Sequence, residues 1–297
     1  MEEQIPVINL QNIKEKPQNL KEACKKWGCF RLINHGVPKK LMGEMKSAIE
    51  EMFDRTVEIK QKNKEVIAGS GYIAPSEKNP LYEAFGLFDV ASKSSVSSFC
   101  DDLQLSPHTR DIIERYAEAI TNLATDIASK LATSMGLTDY TFDNWPLQFR
   151  INKYTFAPES LGSSGVQIHT DSGFLTILQD DENIGGLEVM DPTGTFVPID
   201  PLPDTFLVNL GDIAVPWSNG ELRNVQHRVQ CKDVGTRFSV ATFLSPAPEM
   251  VIEAHPKFLK ADEPPLYAPF TYEQIRKIRA AEKLHAGEAL DRVRWNK

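Results

Sequence analysis

The chain has 297 residues, of which 41% are hydrophobic, and its 33 Lys plus Arg against 41 Asp plus Glu leave a net charge of −8. That apolar share sustains a large core and excludes global disorder, and at roughly 150 residues per domain the length allows two domains or one long β domain. An acidic chain without a Lys/Arg block is not built to bind nucleic acid, and no run approaches the roughly 20 apolar residues that cross a bilayer.

The chain opens on Met1-Glu2-Glu3-Gln4, which is acidic and lacks the apolar stretch of a secretory leader. Residues 5–10 are β-rich, with Pro6 near the start, where a missing N–H is tolerated. Leu20, Ala23, Cys24 and Trp27 follow the spacing of one helix face, and Gly28 suits the cap that ends it. Residues 30–33 then read as a strand that stops at the turn-prone Asn34-His35-Gly36. Leu41, Met45, Ala48, Ile49 and Met52 make a second helical stripe. The Gly69-Ser70-Gly71-Tyr72 segment has no strand leading in and no helix opening after it, so it is a poor phosphate cradle; residues 64–100 read as loop and short strand. A longer helix starts after Ser106-Pro107, carries Ile112, Tyr116, Ile120, Leu123, Ile127, Leu131 and Met135 on one face, and stops at Gly136.

Near residue 146 the pattern changes. Short β-branched or aromatic runs follow at 149–156, 166–169, 174–178, 196–199, 206–210 and 238–244, separated by Gly185-Gly186, Asp191-Pro192-Thr193-Gly194 and Ser218-Asn219-Gly220. Strands at this spacing favour a sandwich or jelly roll, and residues 271–282 return to helix. The expected architecture is mainly β with flanking helices. A mostly helical region occupies 1–146, a jelly-roll core 147–250 and a C-terminal helical segment 251–297. The four cysteines are scattered without a C-x-x-C pair, which suits reduced thiols in the cytoplasm.

The chemistry is concentrated in few residues. In His169-Thr170-Asp171 an imidazole and a carboxylate two positions apart share one strand face and can converge on a metal ion. His227, flanked by the β-branched Val225 and Val229, can be brought alongside by a neighbouring strand. Two His and one carboxylate on one face leave positions open for oxygen and a co-substrate, the arrangement of non-haem Fe(II). Ten residues on, Arg237-Phe238-Ser239 places a guanidinium and a hydroxyl together on the opposite parity from Phe238. A buried arginine requires an acid, so an inward Arg237 implies an anionic ligand or a structural carboxylate. Asn152-Lys153-Tyr154 repeats the alternation with an amide and a phenol.

These motifs, in this order, resemble the plant branch of the Fe(II)/2-oxoglutarate-dependent dioxygenases. So do Trp27-Gly28-Cys29-Phe30, Ile33-Asn34-His35-Gly36-Val37, Gly185-Gly186-Leu187-Glu188-Val189, Asn209-Leu210-Gly211-Asp212 and Trp217-Ser218-Asn219-Gly220, which carry the likeness over nearly the whole chain. Gln148-Phe149-Arg150-Ile151-Asn152-Lys153-Tyr154, Asn79-Pro80-Leu81-Tyr82-Glu83-Ala84 and the ending Gly287-Glu288-Ala289-Leu290 are similar to the subfamily of dioxygenases for auxin oxidation. The resemblance implies a double-stranded β-helix of the cupin type, with Fe(II) on His169, Asp171 and His227. It further implies 2-oxoglutarate on Arg237 and Ser239, placed with help from Asn152 and Tyr154, and ascorbate as a supporting reductant. The implied reaction is oxidation of indole-3-acetic acid to 2-oxindole-3-acetic acid with release of succinate and CO2.

Tyr82, Phe85, Phe156, Phe174 and Phe243 are the candidate walls for a flat ring. Other readings stay open at this point: another aromatic or alkaloid acceptor, an oxidase on the same scaffold that does without 2-oxoglutarate, a non-catalytic binding protein, and a zinc hydrolase, which would not need Arg237 and Ser239. The exact acceptor, the donor for its carboxylate and the oligomeric state are not legible in the residues.

Overall fold

The computed structural model describes residues 4–67, 69–261 and 264–295; Met1, Glu2 and Glu3 of the acidic opening lie outside these. The first strand, β1 (Val7–Asn9), is shorter than the β-rich run because the Asn9 side chain accepts from the Gln11 N–H and turns the chain. Helix α1 (Pro17–Lys26) starts with proline at its first turn, buries Leu20, Ala23 and Cys24, and ends at Gly28, whose φ of 71° is the left-handed conformation that glycine adopts freely. There follow β2 (Cys29–Ile33), α2 (Lys39–Phe53) and α3 (Val57–Lys60). Between residues 64 and 100, where the sequence reads as loop and short strand, lie the seven-residue β3 (Tyr82–Phe88) and the helix α4 (Lys93–Asp102). Helix α4 is rich in serine, which has no helical bias. Ser92 caps it through the Ser95 N–H, and tertiary burial of Val96, Phe99 and Cys100 overrides local preference. Helix α5 (Pro107–Ser134) is capped by Ser106, whose hydroxyl accepts from the Thr109 N–H at 3.1 Å.

The second half supplies β4 (Leu147–Phe156), β5 (Ser164–His169), β6 (Leu175–Gln179), β7 (Leu187–Met190), β8 (Phe196–Pro198), β9 (Phe206–Leu210), α6 (Ala214–Trp217), β10 (His227–Gln230) and β11 (Gly235–Leu244). It closes with β12 (Val251–Ile252), β13 (Phe270–Thr271) and α7 (Tyr272–Glu282). Among the described residues a seven-stranded sheet runs β1-β2-β9-β6-β11-β4-β3 and a four-stranded sheet β5-β10-β7-β8. The two form a jelly roll with helices outside it. Three strands of the larger sheet, β1, β2 and β3, come from before residue 146.

Strand alternation sorts the side chains of the larger sheet. Phe149 and Ile151 of β4 and Val240 and Leu244 of β11 face outward and join the core that α1, α2, α4 and α5 bury against the sheet. Each such fully buried side chain contributes about 1.5–3 kcal/mol. The even-parity residues of β4 and the odd-parity residues of β11 face inward, toward the smaller sheet. A second apolar cluster there, including Phe156, Leu178, Leu187 and Val229, joins the two sheets.

A candidate metal centre and its cavity

His169 ends β5, and His227 opens β10 directly opposite it in the antiparallel register. Their rings lie 4.1 Å apart, centroid to centroid. Asp171 follows in the loop after β5, its Oδ1 at 3.9 Å from His169 Nε2 and 3.7 Å from His227 Nε2. These three donor atoms lie within 4.8 Å of one another, which suits a single ion.

The second ring of contacts orients them. His169 Nδ1 donates to the Gln167 carbonyl at 2.9 Å and His227 Nδ1 to the Val225 carbonyl at 3.3 Å, so both Nε2 lone pairs face the common point. Asp171 Oδ2 accepts from the Thr176 hydroxyl at 2.6 Å, leaving Oδ1 for the ion. Burial, with the neighbouring His227 next, pulls the His169 pKa down to about 4, which keeps its imidazole neutral as a metal ligand requires. The loop between the ligands is held from behind. Arg279 on α7 pairs with the buried Asp212 and donates to the Thr170 carbonyl at 2.9 Å, while the Asp212 N–H donates to the Asp171 carbonyl at 2.8 Å. Gly211 makes that approach possible, because a Cβ there would meet the Gly173 carbonyl oxygen at 2.2 Å.

A cavity of about 330 Å³ opens beside the triad, walled by inward residues of β4, β11 and the smaller sheet. Arg237, 1% exposed, lies in it with its guanidinium 5.0 Å from the Tyr154 ring centroid. One of its nitrogens pairs with Asp180; Nε and Nη1 have no hydrogen-bond partner among the described residues. Two buried guanidinium donors without acceptors are costly, and a bound carboxylate satisfies both. Ser239 lies one step along β11, its hydroxyl accepting from Asn152 Nδ2 at 3.2 Å, and Asn152 Oδ1 accepts from the Tyr82 hydroxyl at 2.8 Å. Burial raises the Tyr154 phenol well above its ordinary range, so it is a neutral donor at any working pH.

Of the aromatics expected as walls, Tyr82 and Phe243 line the cavity. Phe85 does not: it has the opposite parity from Tyr82 on β3 and packs against Phe53, Tyr72 and Phe99. Phe174 lies in the outer core among Phe142, Trp145 and Trp217. Phe156 shares the parity of Tyr154 but falls past the end of the cavity, in the cluster that joins the sheets. Sequence proximity to a motif does not say which face an aromatic takes. The structure adds Gln148, Arg150, Tyr272, Arg276 and Arg279 to the wall. The first two share the parity of Asn152 and Tyr154, a signal present in the sequence; the α7 residues leave none, since only the fold of the C-terminal segment brings them to the cavity.

Known proteins bear on this geometry. Residues 145–246 match the model of the 2OG-Fe(II) oxygenase superfamily, and residues 5–97 that of the non-haem dioxygenase in morphine synthesis N-terminal region. The chain is 47% identical over 280 residues to a "2-oxoglutarate-dependent dioxygenase DAO" of Oryza sativa subsp. indica, covering 94% of this chain and 93% of that protein. Dioxygenase for auxin oxidation 1 of Arabidopsis thaliana, solved in complex with 2-oxoglutarate, superposes with a TM-score of 0.85 at 55% identity, over 88% of this chain and all (100%) of that one. The crystal structure of the rice dioxygenase for auxin oxidation superposes with a TM-score of 0.91 at 45% identity, over 98% of this chain and 100% of that chain. Among the described residues, no helix is long and apolar enough to cross a membrane.

Proposed function

The chain belongs to the 2OG-Fe(II) oxygenase superfamily and is an Fe(II)/2-oxoglutarate-dependent dioxygenase, and from that premise we propose that its substrate is indole-3-acetic acid, oxidised to 2-oxindole-3-acetic acid. The balance is one O2 and one 2-oxoglutarate consumed per substrate, with succinate and CO2 released and one oxygen atom gained by the indole. The observation that carries the reading is the cavity: a complete metal donor set, an anion site and an aromatic wall share one space in a chain so similar to enzymes named for auxin oxidation.

The residues fit the group they would hold. Two imidazoles and a carboxylate with free donor atoms are the ligand set of non-haem iron. When bound, Fe(II) supplies the redox chemistry that couples O2 to the oxidation of both 2-oxoglutarate and substrate. The protein supplies the rest. Arg237 Nε and Nη1, with the Ser239 hydroxyl, grip the distal carboxylate of 2-oxoglutarate. Tyr154 lies beside that grip, and Asn152, bonded to both Ser239 and Tyr82, positions it. Asp180 pairs with the remaining guanidinium nitrogen, Nη2. Tyr82 and Phe243 offer the indole an apolar face and keep water from the metal centre. Residues 147–250 hold the ligands and the anion site, while 1–146 and 251–297 contribute Tyr82 and Tyr272 to the wall. A cytoplasmic location accords with Cys24, Cys29, Cys100 and Cys231, all buried and unpaired.

The test is incubation of the enzyme with Fe(II), ascorbate, 2-oxoglutarate and indole-3-acetic acid. A product one oxygen atom heavier, in step with succinate, is expected. Succinate release only with a different acceptor would overturn the substrate and leave the reaction class standing.

A further inference from the structure

Besides Arg237, three arginines line the cavity: Arg150, Arg276 and Arg279. Arg150 stands on the inward face of β4, where the register sets Tyr154 opposite Arg237, Asn152 opposite Ser239 and Arg150 opposite Ala241. Four residues of strand separate Tyr154 from Arg150, about 13 Å at the usual rise. One five-carbon diacid gripped by Arg237 and chelating iron does not also reach Arg150.

The neighbourhood of Arg150 is open for a ligand. Its register partners are Ala241 on β11 and Gly86 on β3, so no large side chain flanks it on either strand. Gly86 has a second role: a Cβ there would meet Ser70 backbone atoms at 2.3 Å, so glycine lets the 69–71 segment lie against β3. Arg150 Nη1 donates to the Gly71 carbonyl at 3.0 Å and Gln148 Nε2 to the Gly69 carbonyl at 3.2 Å, which pins that segment. Among the described residues Arg150 makes no ion pair, and burial lowers its pKa against the fields of Tyr82, Glu65 and Tyr154. The Glu65 carboxylate is itself engaged by the Gly69 N–H. The cavity's other arginines have partners of their own: Arg237 pairs with Asp180, Arg279 with Asp212, and Arg276 packs over the Tyr272 ring. A half-buried guanidinium that faces the metal-centre cavity, is held by a carbonyl and has Glu65 near it but not in an ion pair, can take a ligand carboxylate.

We infer that Arg150 binds the carboxylate of the substrate and so selects aromatic monocarboxylic acids over their neutral analogues. The inference rests on the proposed auxin-oxidising activity and adds its specificity residue. The two guanidiniums then sort two different acids, a short diacid at the Arg237 end and an aryl acid at the Arg150 end, with Phe243, one rung beyond Ala241 on β11, beside the ring.

The experiment uses the full chain loaded with Fe(II) and 2-oxoglutarate under argon, and measures binding of indole-3-acetic acid and of indole-3-acetamide by equilibrium dialysis. In wild type the acid binds more tightly than the amide. Arg150→Leu is expected to weaken the acid by at least about 30-fold while the amide changes less than about threefold, because only the acid loses a charged partner. Arg150→Gln, which keeps a donor for the Gly71 carbonyl, should show the same selectivity loss with the 69–71 segment held, and Arg150→Lys should recover part of the acid's affinity. Binding of 2-oxoglutarate, followed by the visible charge-transfer band of the anaerobic enzyme, stays unchanged in all three. Equal weakening of acid and amide in Arg150→Leu and Arg150→Gln, or transfer of the acid-specific loss to Arg276→Leu, overturns the assignment. If wild type ignores both indoles yet binds phenylacetic acid with the same Arg150 dependence, the indole substrate fails and Arg150 stands. If wild type oxidises indole-3-acetic acid but binds amide and acid alike, Arg150 fails and the activity stands.

Discussion

The two faces of the β4–β11 ribbon are made from alternate residues of the same strands and could hardly differ more. On the outer face Phe149, Ile151, Val240 and Leu244 are packed against helices with no polar atom to satisfy. On the inner face Arg150, Asn152, Tyr154, Arg237 and Ser239 are just as firmly placed by the backbone, yet Arg237 holds two donors without acceptors. The outer face is apolar except at Thr242, whose buried hydroxyl finds no partner among the described residues, and its packing stabilises the folded chain. The inner face keeps unsatisfied groups among the described residues, and those are the groups that the proposed ligands would satisfy.

The largest separation of the two faces comes from His227→Ala. Removing a metal ligand should abolish turnover and iron retention, while circular dichroism and the thermal midpoint of the metal-free protein stay near wild type. Iron still bound with activity intact would break the triad assignment. The converse is Phe149→Ala, between two cavity residues but pointing into the outer core against Tyr116. It should cost about 3–5 kcal/mol of unfolding free energy in urea, with the Michaelis constants of the surviving folded enzyme nearly unchanged. A large shift in either constant without a loss of stability would mean that the faces are not separate.

Arg237→Leu sharpens the contrast within the inner face. Losing one partner of a desolvated charge pair costs about 2–5 kcal/mol, roughly 30- to 4,000-fold in the apparent 2-oxoglutarate constant. Iron affinity should hold, and an unchanged constant would show that the orphaned donors face elsewhere. The variant also leaves Asp180 buried without its guanidinium, and burial already lifts that carboxyl's pKa, so some stability is lost as well. The smallest effect is Phe243→Leu, which trims an aromatic wall and should raise the substrate constant by about 1 kcal/mol's worth, near fivefold, leaving the 2-oxoglutarate constant alone. The reverse pattern would place Phe243 at the wrong end of the cavity.

Much of the inner face is legible in the order of residues alone. The i, i+2 parity of His169 and Asp171, and of Arg237 and Ser239, follows from the two-residue period of a strand, as does the inward set Asn152 and Tyr154. The helical stripes of α1, α2 and α5 have the period that a buried face demands. What failed were signals too local to carry the answer. Serine-rich α4 has no propensity to announce it, and β3 is defined by its pairing with β4 rather than by its own pattern. Phe85, Phe156 and Phe174 were as aromatic and as near to motifs as Tyr82 and Phe243, and nothing in a sequence window says which side of a sheet has the space.

The chemical inventory and its parity follow from the order of residues, because backbone geometry dictates which neighbours share a face. That order therefore carried the metal donors and the jelly-roll class, and it set Arg237 and Ser239 on one face. Tertiary structure alone decided which strands met. The β5–β10 pairing brought His227 against His169, and the strand order of the larger sheet set small Ala241 and Gly86 on either side of Arg150. The fold of α7 carried Arg279 to the loop behind Asp171. Those contacts span from about 60 to more than 100 residues of chain. They form because burying two sheets and their helices stabilises one arrangement of the whole, which no local preference encodes.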